Sequence, residues 1–473
     1  MKKYLLLCLL PLFSFPLRAQ EGCEIKLILK DSANDTIWFG QNYGKREIPD
    51  FFGLRQEDGS YLLKTDKPLP SGMYSVIYKR TPTTYKSFQC WLADGERKFT
   101  IETKLSNPYN GSVTGSKENE LLFSYNYQFQ SLDYRLDDII DHWRYQPSAE
   151  NYRKRVELEN ELHQYQKDFI AKNPGTLMAK LVQETMFPVP PVNAIKSKNW
   201  EEQATERWVW QKQRYFENMD ISSESFMRHE QWLTKVDFYL FRLPPPSPDT
   251  TIALIDDIFD KLEANPGAYQ YYSKYLINSL AKMSQYRLDE VFVHMVKTYV
   301  QTGKATWPTD NEKQRSMDDA ARMERLFEGN KGPDVTLYTK DESAVSLYGI
   351  DAPYTLMVYW MPDCGHCKKE LPLIMDAYQT FKERGLKILS VCGKSSYDVQ
   401  TCWDFAAENK FPDDWLLVAD PTRRSNITNL YNIRSYPRVI IFDKDKNIVF
   451  KRSGSMSDWQ LDAVLNRLHW SAD

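Results

Sequence analysis

The sequence predicts a multidomain protein with a β-sandwich-like domain first, an all-α domain in the middle and an α/β domain at the C-terminal end. Three observations carry that expectation. Short runs of β-branched and aromatic residues, punctuated by turn residues, fill the chain to about residue 115. Apolar residues then recur at three- and four-residue steps to about residue 330. From there to the end, strand-like and helix-like segments alternate. A length of 473 residues accommodates these parts, at roughly 100–200 residues per domain.

The amino terminus reads as an export signal over residues 1–19. Lys2 and Lys3 precede an apolar run from Leu5 to Phe15 that is too short to span a bilayer. Pro11 and Pro16 also argue against a retained anchor, and Ala19 supplies the small residue before cleavage. Leu5-Leu6-Leu7 ahead of Cys8 lacks the small residues that a lipoprotein would need. The mature protein is therefore expected in the periplasm. Cys8 leaves with the signal, and Cys23, Cys90, Cys364, Cys367, Cys392 and Cys402 remain. An even number in an exported protein permits disulfides.

Residues 20–115 contain strand candidates at Ile25–Leu29, Thr36–Phe39, Tyr61–Leu63, Tyr74–Tyr78, Phe88–Leu92 and Lys98–Ile101. Gly59-Ser60, Gly72 and Asp94-Gly95 mark turns between them. A small antiparallel sandwich or barrel is the expected arrangement. Cys23 and Cys90 sit at the edges of two runs, either bridged or packed as two free thiols.

Residues 116–330 take the helical period. Leu121, Tyr125, Leu132, Leu136, Ile139, Ile140 and Trp143 form one stripe behind Ser116 as N-cap, and Tyr152, Val156, Leu162, Tyr165 and Phe169 form a second, ended by Asn173-Pro174. Further amphipathic segments run Leu177–Met186, Trp200–Phe216, Ile252–Leu262, Tyr271–Met283, Leu288–Val300 and Lys313–Phe327. Two proline-rich stretches, 188–191 and 244–248, act as stiff connectors. No fixed repeat period is present, and the aromatic residues are expected to face the core.

Residues 331–473 alternate strands at Thr355–Trp360, Leu386–Val391, Leu416–Val418, Arg438–Phe442 and Ile448–Phe450 with helices at Cys367–Arg384, Gln400–Asn409 and Trp459–Leu468. The apolar character of the first two strands suits a sheet covered on both faces.

Composition narrows the function classes. Hydrophobic residues at 42% and charged residues at 26% exclude a disordered chain. Sixty-one Lys+Arg against 64 Asp+Glu give a net charge of −3, which excludes a global basic field for nucleic acid.

The chemistry concentrates at Cys364-Gly365-His366-Cys367, where a strand ending at Trp360 gives way to a helix. A helix N-terminus offers unpaired N–H groups and partial positive charge, so Cys364 gains stability as a thiolate. Cys367 lies one turn on, close enough to form a disulfide with it. His366 can carry positive charge, which favours the thiolate form and makes the couple more oxidising. Structural zinc would want a second ligand pair at suitable spacing, which Cys392 and Cys402 do not provide. Covalent haem would want His where Lys368 stands. A merely structural bridge across so short a loop restricts the unfolded chain little. Redox chemistry is the expected use, with no metal and no organic cofactor.

Over about the last 140 residues the chain resembles the thioredoxin superfamily, in its exported TlpA/ResA-like branch. The residues that carry the resemblance are Trp360 four positions before Cys364, Pro372 eight after it, and Ser435-Tyr436-Pro437 before the strand at Arg438. Val358 stands where cytosolic thioredoxins carry an acid, and Cys367-Lys368-Lys369-Glu370-Leu371-Pro372 resembles the run of the exported branch. The dipeptide between the cysteines looks like that of disulfide isomerases.

The resemblance implies a thiol-disulfide oxidoreductase, either reductase or isomerase, with Glu370 as proton partner and Pro437 as a cis-proline facing the cysteines. Tyr436, Pro437 and Trp360 would form the substrate-binding face. The partners implied are exported cysteine-containing proteins and a membrane thiol electron donor. The segment from Cys392 to Trp415 resembles the branch's helical insertion, and its two cysteines are either bridged or separately buried. The alternative function is an envelope binding or scaffold protein whose redox pair is a switch, since about two-thirds of the mature chain carries no catalytic signature.

Overall fold

The computed structural model describes residues 22–44, 46–221, 227–228, 230–243, 247–281, 288–395, 397–454 and 458–470. The expected export signal, residues 1–19, lies outside the described residues. The chain divides into two compact units, Met1–Pro246 with Lys261–Ala268, and Ser247–Asp260 with Tyr269–Asp473.

The first unit opens with eight strands, β1 (Cys23–Leu29), β2 (Thr36–Tyr43), β3 (Arg46–Leu54), β4 (Tyr61–Thr65), β5 (Gly72–Thr81), β6 (Thr84–Leu92), β7 (Lys98–Lys104) and β8 (Asn107–Thr114). They form two four-stranded sheets, ordered β4-β1-β7-β8 and β3-β2-β5-β6. The expected all-antiparallel pairing fails at one place, because β1 pairs β7 in parallel, Ile25 opposite Phe99. A parallel pair needs a long crossover, and the chain from β2 to β6 supplies it. Two strands, β3 and β8, carried no readable signal. Both are sheet edges, mostly exposed, and both contain strand breakers such as Pro49, Gly53, Pro108 and Gly111. Edges tolerate these because only one side of the backbone must pair.

Five helices follow, α1 (Lys117–Tyr145), α2 (Ala149–Lys172), α3 (Leu177–Thr185), α4 (Trp200–Arg214) and α5 (Glu230–Phe241). Ser116 caps α1 as expected, its Oγ accepting the Asn119 N–H at 3.2 Å. Leu122 and Phe123 of α1 and Met178 of α3 belong to the same buried cluster as Ile25, Phe39, Val76 and Ile101 of the sheets. Cys23 and Cys90 are free and buried in strands of different sheets, so no bridge staples this region. Burial pushes the Cys23 thiol up to about 11 and Cys90 higher still. They pack as small hydrophobes.

The second unit takes most of α6 (Pro248–Leu262) and α7 (Pro266–Leu280), then α8 (Leu288–Met295), a π-helical turn at Val296–Gln301 and α9 (Asp310–Arg325). Thr309 and Glu312 close a capping box on α9. Beyond it lie β9 (Thr336–Tyr338), β10 (Ala344–Ser346), β11 (Tyr354–Trp360), α10 (Gly365–Phe381), β12 (Leu386–Cys392), α11 (Gln400–Glu408), β13 (Leu416–Ala419), α12 (Ile427–Leu430), β14 (Arg438–Asp443), β15 (Ile448–Ser453) and α13 (Asp458–Arg467). The strands form one seven-stranded sheet ordered β10-β9-β13-β12-β11-β14-β15. β11 runs parallel to β12 and antiparallel to β14.

Every residue of β11 is buried, as expected for a sheet covered on both faces. Leu356, Val358 and Trp360 pack with Leu371, Ile374 and Tyr378 of α10, whereas Met357 and Tyr359 point into a second cluster with Leu389 and Ile440. This alternation is the period-2 geometry of a strand. It fixes the direction in which β11 delivers the chain to the residues that follow.

Candidate active site

Trp360 is the last residue of β11, and Met361, Pro362 and Asp363 turn the chain into α10. Cys364 is the N-cap of that helix, with an extended backbone and a side chain that accepts the Cys367 N–H at 3.2 Å. Its carbonyl accepts the first helical hydrogen bond, from Lys368 N at 3.1 Å. A cysteine here does what Ser or Asp does at other N-caps, and its sulfur receives a helix N–H where the dipole is positive. Such a position stabilises a thiolate.

The two sulfurs differ in access. Cys364 is partly exposed, whereas Cys367 is fully buried. Burial, followed by the hydrogen-bonding contact with Cys364, pushes the Cys367 thiol up to about 12. The Cys364 thiol points toward the Tyr436 carbonyl, with sulfur and oxygen 3.9 Å apart. The Tyr436–Pro437 peptide bond is cis. Tyr436 is half-buried and its ring stacks on Tyr359 at 5.8 Å, while Pro437 is buried and its carbonyl accepts Gly454 N at 2.9 Å. Residues 72 positions apart in sequence thus meet because β14 lies beside β11.

Glu370 is 7% exposed, so it is not a solvated helix glutamate. Val358 is fully buried, which leaves no acid at that position of β11. His366 lies exposed in the first turn of α10. Trp360 does not belong to an open substrate face. It is 0% exposed, its indole N–H donates to Ser390 Oγ at 2.9 Å, and its ring packs on Phe405 and Phe411 at 5.2 and 5.5 Å. A side chain with no accessible surface cannot touch a partner, so Trp360 supports the turn from beneath.

Cys392 and Cys402 are bridged, with Cα atoms 6.1 Å apart, which decides between the two states open to them. Cys392 ends β12 directly beside Trp360, and Gly393 N donates to the Trp360 carbonyl at 2.9 Å. The bridge therefore ties α11 to the strand end that carries the site. Residues 392–393 also lead to Lys394, whose ammonium lies 3.0 Å from the Asp363 carboxylate. That hydrogen bond holds Asp363 below the usual carboxylate range. Asp363 adjoins Cys364 in sequence, but Lys394 is found only through the β11–β12 register. Neither was among the expected site residues.

A family model described as the AhpC/TSA family matches residues 329–451. The thiol-disulfide oxidoreductase ResA of Oceanobacillus iheyensis is 30% identical over 157 residues, covering 32% of this chain and 77% of that protein. ResA of Bacillus subtilis is 24% identical over 147 residues, covering 31% of this chain and 78% of that protein. Among solved structures, a thioredoxin-like protein from Bacteroides caccae aligns with 60% of this chain and 99% of its own, at 16% identity and a TM-score of 0.47.

Proposed function

We infer what this site does from one premise: the chain belongs to the thioredoxin superfamily, as a TlpA/ResA-like thiol-disulfide oxidoreductase. We propose that it acts in the periplasm on exported cysteine-containing proteins, as a reductase or isomerase, with Cys364 as nucleophile and Cys367 as resolving thiol. The observation that carries this division is the contrast between a partly exposed N-cap sulfur and a fully buried thiol pushed up to about 12.

The electrons balance as follows. The Cys364 thiolate attacks one sulfur of a substrate disulfide, whose S–S bond breaks as a mixed disulfide forms. The departing sulfur leaves as a thiolate and takes up a proton. Cys367 then loses its proton and attacks Cys364 Sγ, so the second substrate sulfur leaves and the Cys364–Cys367 disulfide closes. Two electrons have passed to the substrate, and a membrane thiol donor returns them. Glu370, buried in the same helix, takes the Cys367 proton. Isomerisation uses the first step and its reversal.

His366 adds a group near Cys364 that can carry positive charge, and Tyr436, with Pro437 buried beside it, forms the face against which the substrate chain lies, the substrate backbone pairing with Tyr436 as an added strand. Export rests on the amino-terminal pattern, and no helix among the described residues is long and apolar enough to cross a membrane. At the level of architecture, we read the two N-terminal sheets as sandwich-like (20–115) and the following helices as an all-α region (116–330), ahead of the thioredoxin-like part (331–473).

Replacing Cys367 by Ser removes the resolving attack and leaves the nucleophile. Expressed in its own host envelope, the Cys367→Ser chain should accumulate reductant-sensitive adducts with exported proteins, and a Cys364→Ser, Cys367→Ser double variant should not. Equal adducts from both would overturn the assignment. One dominant adduct would indicate a dedicated reductase, and many would indicate a general isomerase or repair role.

A further inference from the structure

The first unit contains a cavity of about 330 Å³ that the cysteine chemistry does not use. α1, α2, α3 and α5 line it, with Gln89 of β6 and Tyr109 of β8. Its walls are rich in rings. Tyr125 and Phe129 of α1 stack at 5.3 Å, and Phe187 meets Tyr215 and Phe238 edge-on at 6.0 and 5.6 Å. A cavity of this size and lining suits the apolar body of a small molecule.

The polar groups are unbalanced. Tyr125, Phe129, Asp133 and Asp137 recur at four-residue steps, which places two carboxylates on the same face of α1 as the stacked rings. Asp137 has Arg242 at 3.4 Å. Asp133 lines the cavity and is exposed, with no hydrogen bond or ion pair among the described residues; the protein around it and then the neighbouring Asp137 raise its carboxyl to about 6, against the opposing pull of Arg242. Gln166 is 3% exposed, its Nε2 donates to the Tyr125 hydroxyl at 3.1 Å, and its Oε1 has no partner among the described residues.

The charged donor of the lining is Lys235, and it is already engaged. Its ammonium donates to the Met186 carbonyl at 3.1 Å and the Glu184 carbonyl at 3.5 Å, and lies 5.0 Å from the Tyr215 ring centre. Burial lowers its pKa to about 7, so its positive charge is readily given up. The cavity therefore presents an exposed carboxylate with no ion pair among the described residues, the buried Gln166 Oε1 and several ring faces, and a cationic donor matches all three.

We propose that this cavity binds small organic amines, the ammonium group pairing with Asp133 and an aromatic or branched apolar body resting on Tyr125, Phe129 and Phe238, toward the end of the cavity where Gln166 lies. The site is separate from the cysteine pair and gives the first unit a ligand-binding function of its own.

Calorimetric titration of the full-length chain with three probes of one shape tests this. Phenethylamine carries a positive charge, 2-phenylethanol none and 3-phenylpropanoate a negative one. The expected result is saturable binding of the amine at one site, roughly tenfold or more tighter than the alcohol, with the anion weakest. Asp133→Asn should cost the amine roughly tenfold while leaving the alcohol, the urea unfolding midpoint and thiol-disulfide turnover unchanged. The proposal is overturned if the amine shows no saturation to about 10 mM, if the alcohol or anion binds as tightly, or if Asp133→Asn keeps full affinity. The charge series on the unaltered chain decides the matter even if the variant folds poorly.

Discussion

At the scale of the residue, the two sulfurs of the CGHC site are made unequal by position alone. Cys364 caps a helix and reaches solvent, whereas Cys367, three residues on, is buried by the packing of α10 against β11. A thiol whose pKa has risen to about 12 is a thiolate in roughly one molecule per ten thousand at pH 8. Alkylation of the reduced protein by iodoacetamide at pH 8 should therefore label Cys364 first and leave Cys367, Cys23 and Cys90 largely unmodified, as peptide mass mapping would read. Comparable labelling of Cys367 would contradict the assignment. The cysteines, Glu370, Tyr436 and Pro437 were legible as a spaced pattern in the sequence. The burial of Trp360 and the Lys394–Asp363 pair were not, because both depend on what β12 and α11 bring alongside the turn.

At the scale of the element, two connections outside the site hold their parts in place. Glu159 of α2 is fully buried and accepts from Arg155 at 2.7 Å and from Arg207 of α4 at 2.6 Å. Burial opposes its charge, but the two guanidiniums win and hold its carboxyl below the usual range. Glu159→Leu leaves two buried cations without their partner, and urea unfolding should show a loss of about 3–5 kcal/mol. A depressed folded-state pKa also means that this contribution is present above the ordinary carboxylate range and lost as pH falls through the folded value. The second connection is Cys392–Cys402, which closes a loop of sequence separation 10. Replacing both cysteines by Ala should cost about 2–3 kcal/mol and loosen α11 beside Trp360. An unchanged unfolding midpoint would show that the bridge does not support the site. Periodicity located most strands and helices, since buried faces repeat at 2.0 or 3.6 residues. It missed β3, β8, β9 and β10, which are edge or near-edge strands held by backbone pairing and not by an apolar pattern, and it also missed α5 and the single-turn α12.

At the scale of the whole molecule, the ResA relatives account for about a third of the chain, and the redox residues all fall within residues 329–451, which the family model matches. The remainder is unlike a passive extension: its sheets and first helices share one core, and it holds a ring-lined cavity with a carboxylate, Asp133, that has no ion pair among the described residues. With a net charge of −3, no global field steers one class of macromolecule to the protein, so selectivity must come from local surfaces. The central claim, however, rests on a single sulfur. Turnover of a disulfide substrate with a thiol reductant, measured side by side for the unaltered chain and Cys364→Ser at equal folded concentration, tests it most directly. The account predicts catalysis by the unaltered chain and a fall to the rate of the buffer control in the variant. Activity that survives the loss of Cys364 would contradict it.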